Sequence, residues 1–227
     1  VLVPWERVFI HRSAKMCNGL YARTQCMNHI MHQFCTKNLA KAEFMLGLAL
    51  AMARSTKSDA HLHVQGMLAE MMQYAEVVRA CIRAAEVDCV QTSFGTVAPA
   101  EMPLWTVRLM FPKMYVRMRE IIQILGAGGL VSVPSLAELD GPAGELVAKY
   151  FQGATIDARD RIRLFRLAFD VGVSSFGVRQ ELYERYYSRD PVRLAAALYA
   201  QYPKDAHEDR IWALLDRIEA APAGRRG

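Results

Sequence analysis

Three short stretches hold the residues best equipped for chemistry. In NHIMHQFCTKN, residues 28–38, His29, His32 and Gln33 lie three and four positions apart, so a helix would place them on one face. That face reads either as hydrogen-bond donors or metal ligands lining a polar cavity, or as a partly exposed surface whose histidines are satisfied. In SSFGVRQELYERYY, residues 174–187, Gly177 interrupts an amphipathic pattern in which glycine costs about 1 kcal/mol relative to alanine. Small residues there would let a ligand or a second backbone come close, with Arg179 available to an anion. The competing reading is a helix start, with Ser174 or Ser175 as cap and RQELYER as a charged solvent face.

The third stretch is QILGAGGL, residues 123–130. It imitates a dinucleotide fingerprint, but Val131 stands where the third glycine belongs, and the stretch follows a helical pattern rather than a strand. What remains is a helix C-terminus whose glycine is free to take positive φ. The chain has no G-x-S-x-G, H-E-x-x-H, P-loop or C-x-x-C, which argues against hydrolase and kinase chemistry.

The elements that must position these residues are helical. Apolar residues recur at three- and four-residue steps from about Met27 to Ser55 (Ile30, Phe34, Leu39, Phe44), and RSTKSD offers Thr56 or Ser58 as the next N-cap. A second helix is predicted from about Ala60 to Val90, and a third from Leu104 to Leu125 with Pro103 at its first position. Residues 131–155 form the longest irregular connection. A fourth long helix is predicted from Asp157 to Tyr187, a short one from Pro191 with Asp190 as cap, and a last one over Glu208–Glu219. Together these predict an all-α four-helix bundle. The alternation in VLVPWERVFI predicts a strand, read as the end of an upstream β-domain over residues 1–12. The bundle then covers 13–203, and 204–227 is a terminal helix with a disordered tail, AAPAGRRG.

Bulk composition limits the partners. The 28 basic and 23 acidic residues are interspersed, so the net charge of +5 makes no nucleic-acid stripe and suits an anionic cofactor better. No apolar run is long enough to span a membrane. The five cysteines are odd in number. Cys17, Cys26 and Cys35 recur every nine residues, which sends neighbours to opposite helix faces, so reduced thiols in a reducing, cytoplasmic compartment are expected and no metal site is assigned. The twelve methionines read as core filler.

Taken in order, VPWERVF, YARTQCMNHIMHQFCTKNLAKAEFMLGLA, PLWTVRLMFPKMYVRMREIIQILGAGGLVSVPS and DARDRIRLFRLAFDVGVSSFGVRQELYERYYSRDP resemble the oxygenase components of the 4-hydroxyphenylacetate 3-monooxygenase family, over roughly residues 1–203. The resemblance implies the C-terminal four-helix bundle of an acyl-CoA dehydrogenase-like fold, assembled as a homotetramer. It implies reduced FAD supplied by a separate flavin reductase, and hydroxylation of a small phenol ortho to its hydroxyl. It further implies flavin contacts from Ser174, Ser175, Phe176, Gly177 and Arg179. A neighbouring subunit's flavin would meet Gln123, Gly126, Gly128 and Gly129, and Arg23, His29 and Gln33 would add contacts from the first bundle helix. The phenol-binding and oxygen-activating residues of the family lie mostly outside this chain, so no catalytic residue is assigned and the fragment alone is expected to be inactive. Two other readings share these residues: a 4-hydroxybutyryl-CoA dehydratase-like flavin and iron–sulfur enzyme, for which His29 and Cys35 would be ligands, and a helical module that only tetramerises.

Overall fold

The computed structural model describes residues 1–220, the side chain of Ala22 excepted; the sequence-predicted disorder of the tail falls almost wholly outside the described residues. The chain divides into two units at Pro191. In the first, α1 (Ala14–Arg23) leads into the 31-residue α2 (Cys26–Thr56), followed by α3 (Leu62–Val87) and α4 (Glu101–Gly126). Their apolar residues recur so that one stripe of each helix is sealed: Met31, Phe34, Met45 and Met52 on α2, Leu68, Met71 and Val78 on α3, Leu104, Phe111, Met118 and Ile122 on α4. Short helices α5 (Gly128–Val131), α6 (Leu136–Leu139) and α7 (Gly144–Tyr150) follow. The fourth side of the bundle is α8 (Ala158–Gly172) and α9 (Ser175–Tyr186). The helical class and the bundle are as the periodicity predicts, and the buried methionines fill its core.

Several boundaries differ from expectation. Residues 1–12 make a single 3-10 turn at Trp5–Arg7 and no strand; the two-stranded antiparallel ribbon is β1 (Val90–Gln91) with β2 (Val97–Ala98), where two segments can satisfy one another's backbone. Thr56 closes α2, donating its hydroxyl to the carbonyls of Met52 and Ala53, and α3 begins after His61 without a side-chain cap. Pro103 is the third residue of α4 rather than the first. The 131–155 connection contains α6, opened by a capping box between Ser135 and Glu138, and α7. At the end of α4 positive φ falls on Ala127 (43°), not on a glycine.

The second unit contains α10, which starts at the boundary residue Pro191 and runs to Gln201, and α11 (Asp205–Glu219). Lys204 between them donates to the Tyr199 carbonyl at 3.2 Å and sits 4.6 Å from the centre of that ring. All five cysteines are free thiols; Cys35 is sealed in the core, Cys17 and Cys89 are exposed.

Candidate functional site

The predicted fourth helix breaks at Val173–Ser174, and this corner builds one wall of a cleft. Ser174 Oγ accepts from the N–H groups of Phe176 (3.2 Å) and Gly177 (3.4 Å), and its hydroxyl donates to the Asp170 carbonyl at 2.8 Å. One side chain thus closes α8 and opens α9, a role serine fills because its short oxygen competes with the helix ladder. Gly177 then passes directly against the end of α8, with the Val171 carbonyl where a Cβ would be. Gln123 Nε2 donates to the Gly172 carbonyl at 2.6 Å and ties α4 to the same corner.

The corner and α2 enclose a cleft of about 520 Å³. Its walls are apolar, from Phe44 and Met45 on α2, Leu167 and Val171 on α8, and Phe176 on α9. Polar groups enter from Lys41, Tyr115, Asp170 and Gln180. An apolar cleft with few convergent polar groups is the usual form of a small-molecule or cofactor site.

Behind the cleft lies an ion cluster. Glu184, whose side chain is fully buried, accepts from Lys37 Nζ at 2.8 and 2.9 Å and also from Lys41, which in turn donates to Gln180 Oε1 at 3.0 Å. Aromatic rings surround the ammoniums: Phe34 and Tyr183 lie 4.6 and 5.1 Å from Lys37, Tyr183 and Tyr115 5.3 and 5.4 Å from Lys41. Burial pulls Lys37 below the usual lysine range, opposed by its hydrogen bond to Glu184. Burial first, and the charge of Glu184 second, push the Tyr115 hydroxyl up to about 12, so it remains a neutral donor at physiological pH. Two cations share one anion in this cluster, and Asp170 adds a carboxylate to the cleft lining.

Of the residues singled out in the sequence, Ser174, Ser175, Phe176, Gly177 and Gln123 gather at this corner, and Phe176 and Gly177 line the cleft. Arg179 is exposed and outside that lining. Gly126 packs under Leu130, Gly129 against the Phe165 ring, and Gly128 has open space around it, so the glycine stretch serves the α4–α5 turn and does not line the cleft. Arg23, His29 and Gln33 are exposed; His29 joins His32, Glu86 and Cys89 around a separate shallow pocket. RQELYER is not a solvent face: Glu184 is sealed, and Glu181 pairs with Arg119 at 2.7 Å. Sequence reasoning missed Lys37, Lys41, Gln180 and Glu184. The available signal was polar pairs at i, i+4 inside amphipathic stretches, 37/41 and 180/184.

The iron–sulfur reading finds no support in the geometry. Cys35 is buried with its thiol aimed at the Leu104 carbonyl (3.8 Å) and pushed up to about 12, chiefly by burial, while His29 is exposed. Among the described residues no group of three or more His, Cys, Asp or Glu could hold a metal ion.

The chain is similar to known proteins over most of its length. The family profile described as 4-hydroxyphenylacetate 3-hydroxylase C terminal matches residues 17–216. The chain is 43% identical over 215 residues to the 4-hydroxyphenylacetate 3-monooxygenase oxygenase component of Thermus thermophilus, covering 95% of this chain and 45% of that protein. It is 37% identical over 212 residues to the same component of Geobacillus sp., covering 93% and 43%. It thus spans rather less than half the length of these relatives. A crystal structure of such an oxygenase component, complexed with FAD and 4-hydroxyphenylacetate, superposes with a TM-score of 0.91 at 42% identity, over 95% of this chain and 45% of that one. An archaeal 4-hydroxybutyryl-CoA dehydratase superposes with a TM-score of 0.81 at 18% identity over 95% and 43%, which shows a shared fold alone.

Proposed function

The chain belongs to the 4-hydroxyphenylacetate 3-hydroxylase C-terminal family, and from that premise we propose that it is the helical C-terminal part of the oxygenase component of a two-component, FAD-dependent aromatic monooxygenase. Its substrate class is a small phenol such as 4-hydroxyphenylacetate, hydroxylated ortho to the existing hydroxyl with O2. Reduced FAD comes from a separate flavin reductase. In this reading residues 1–12 adjoin a β-domain, the bundles assemble as a homotetramer, and the enzyme works in the cytoplasm. No helix among the described residues is long and apolar enough to cross a membrane.

The observation that carries the reading is the α8–α9 cleft, set in a bundle that superposes on an FAD complex. Its chemistry suits a flavin ring: Phe44, Leu167 and Phe176 offer apolar faces, while Lys41 and Gln180 offer polar contact at one edge. Lys41 is held by Glu184 and Gln180, so it presents a fixed positive charge with little reorganisation. Bound there, reduced flavin supplies the electrons that activate O2; the protein's own part is to orient the ring and exclude water. Gly177 and the Ser174 cap set how closely α9 approaches, and hence the width of the slot.

The test is to mix full-length protein anaerobically with reduced FAD, add oxygenated buffer, and measure catechol formed per flavin reoxidised. Tight coupling with simple phenols supports the reading. Flavin reoxidation yielding only hydrogen peroxide with every phenol would sink it.

A further inference from the structure

A second pocket shares none of the residues that line the α8–α9 cleft. It has a volume of about 200 Å³ and lies where the start of α2, α4 and the end of α9 meet. Its apolar wall is Met27, Ile30, Met31 and Phe34 of α2, with Tyr187 stacked on Phe34 at 5.8 Å and 13°. Its polar lining includes two guanidiniums, Arg108 and Arg189, and no carboxylate.

Arg108 is the unusual member. It is 7% exposed, its Cζ lies 4.9 Å from the centre of the Trp105 ring, and one Nη donates to the Ser188 carbonyl at 3.0 Å. A guanidinium carries five N–H donors, and none of the nitrogens of Arg108 is both sealed and without a partner. The donors not used on Ser188 are therefore not sealed, and Arg108 is part of the pocket lining. The nearby carboxylate, Glu101, accepts from Trp105 Nε1 at 2.6 Å and its charge still acts on Arg108, but it does not line the pocket. Arg189 faces the same space from a residue with φ of 101°, a conformation non-glycine residues rarely adopt. Behind Phe34 stands Lys37 of the two-lysine, one-glutamate cluster, itself in cationic excess.

A buried cation is ordinarily paired, since desolvation without a counter-ion is costly. Here a second cation approaches as well: burial first, then the charge of Arg189, pull Arg108 below the usual arginine range, against the opposing charge of Glu101. With two guanidiniums and no carboxylate in its lining, the pocket itself is set to receive an anion. A forked guanidinium matches a carboxylate in two parallel bonds. The volume falls below the roughly 300–1,000 Å³ of sites for drug-sized ligands, and the aromatic wall suits one ring.

We propose that this pocket binds a small organic acid with an apolar, single-ring body, its carboxylate held between Arg108 and Arg189 and its ring against Phe34 and Tyr187. The site is separate from the flavin cleft and does not depend on that assignment.

The experiment is calorimetric titration of the full-length protein with phenylacetate, with phenylacetamide and acetate as the uncharged and ring-less controls. Phenylacetate should bind at least ten-fold tighter than either control, and Arg189→Met should weaken it at least ten-fold. Because Arg189 is exposed, that variant keeps its packing. Arg108→Lys, which preserves charge but not the fork, should weaken binding as well, and both variants should melt within a few degrees of the parent. Phenylacetate affinity unchanged in Arg189→Met would place any bound acid elsewhere and overturn the proposal. So would equal binding of the amide, or no binding of phenylacetate at all.

Discussion

Gly177 lies directly beneath the last turn of α8: a Cβ built on it would stand 2.2 Å from the carbonyl oxygen of Val171. Backbone cannot yield as a flexible side chain can, so α9 crosses α8 at this distance only with glycine at 177. Gly177→Ala should therefore cost about 1–3 kcal/mol and, on the proposed reading, weaken reduced-FAD binding as the slot widens. Urea unfolding and anaerobic flavin titration measure the two effects separately. A variant as stable as the parent would show that the corner relaxes freely.

Ser174 and its neighbour offer an internal control. Ser174→Ala removes the acceptor for two N–H groups of α9 and should cost about 0.5–2 kcal/mol. Ser175 is exposed and has no capping role, so Ser175→Ala should stay within about 0.5 kcal/mol. Equal effects in chemical denaturation would mean the cap is misassigned.

The Glu184 cluster should behave as one unit. Glu184→Leu leaves Lys37 and Lys41 partly buried without their anion and should cost about 3–5 kcal/mol. Removing all three charges, Lys37→Met with Lys41→Met and Glu184→Leu, should recover most of that loss, because the cost lies in the unpaired charge. If the triple variant were no more stable than the single one, the cluster would be contributing geometry that apolar packing cannot replace.

Alkaline stability reports on Cys35. Its thiol is raised from 9.0 to about 12 in the folded protein, so as pH rises past 9 the unfolded chain loses a proton that the native state keeps. Stability contributed by the protonated thiol is complete below pH 9 and declines above it, by at most about 1.4 kcal/mol per pH unit. Cys81, also raised by burial, adds in the same direction, whereas Lys37, lowered by burial, opposes it below 10.5. Comparing the parent with Cys35→Ala in urea between pH 8 and 10 isolates the group: the slope should be shallower in the variant. At neutral pH, Cys17 and Cys89 should react with a thiol reagent in the native state while Cys35 does not.

The sequence by itself determined the class of fold and most of its punctuation. Period-3.6 burial in α2, α3 and α4, the helix start at Asp157, Pro191 opening α10 and the glycine-rich end of α4 are local matters, decided within one or two turns of backbone. Ser174 was legible as a helix cap and Gly177 as a close-approach residue, because each acts on atoms a few positions away. The rest of the site depended on pairings far apart in sequence. Nothing near Lys37 or Lys41 announces Glu184, some 147 and 143 positions on, and RQELYER looks solvated until α9 docks and buries one side of it. The same holds for Arg108 against Ser188, 80 positions away. Conversely His29, Gln33 and Arg23 carry suitable chemistry but project outward, because burial of a polar side chain is decided by which neighbouring helix covers it. Local hydrogen bonding and apolar periodicity are written in the chain; which charges meet, and which cavity they face, is settled only when the helices pack.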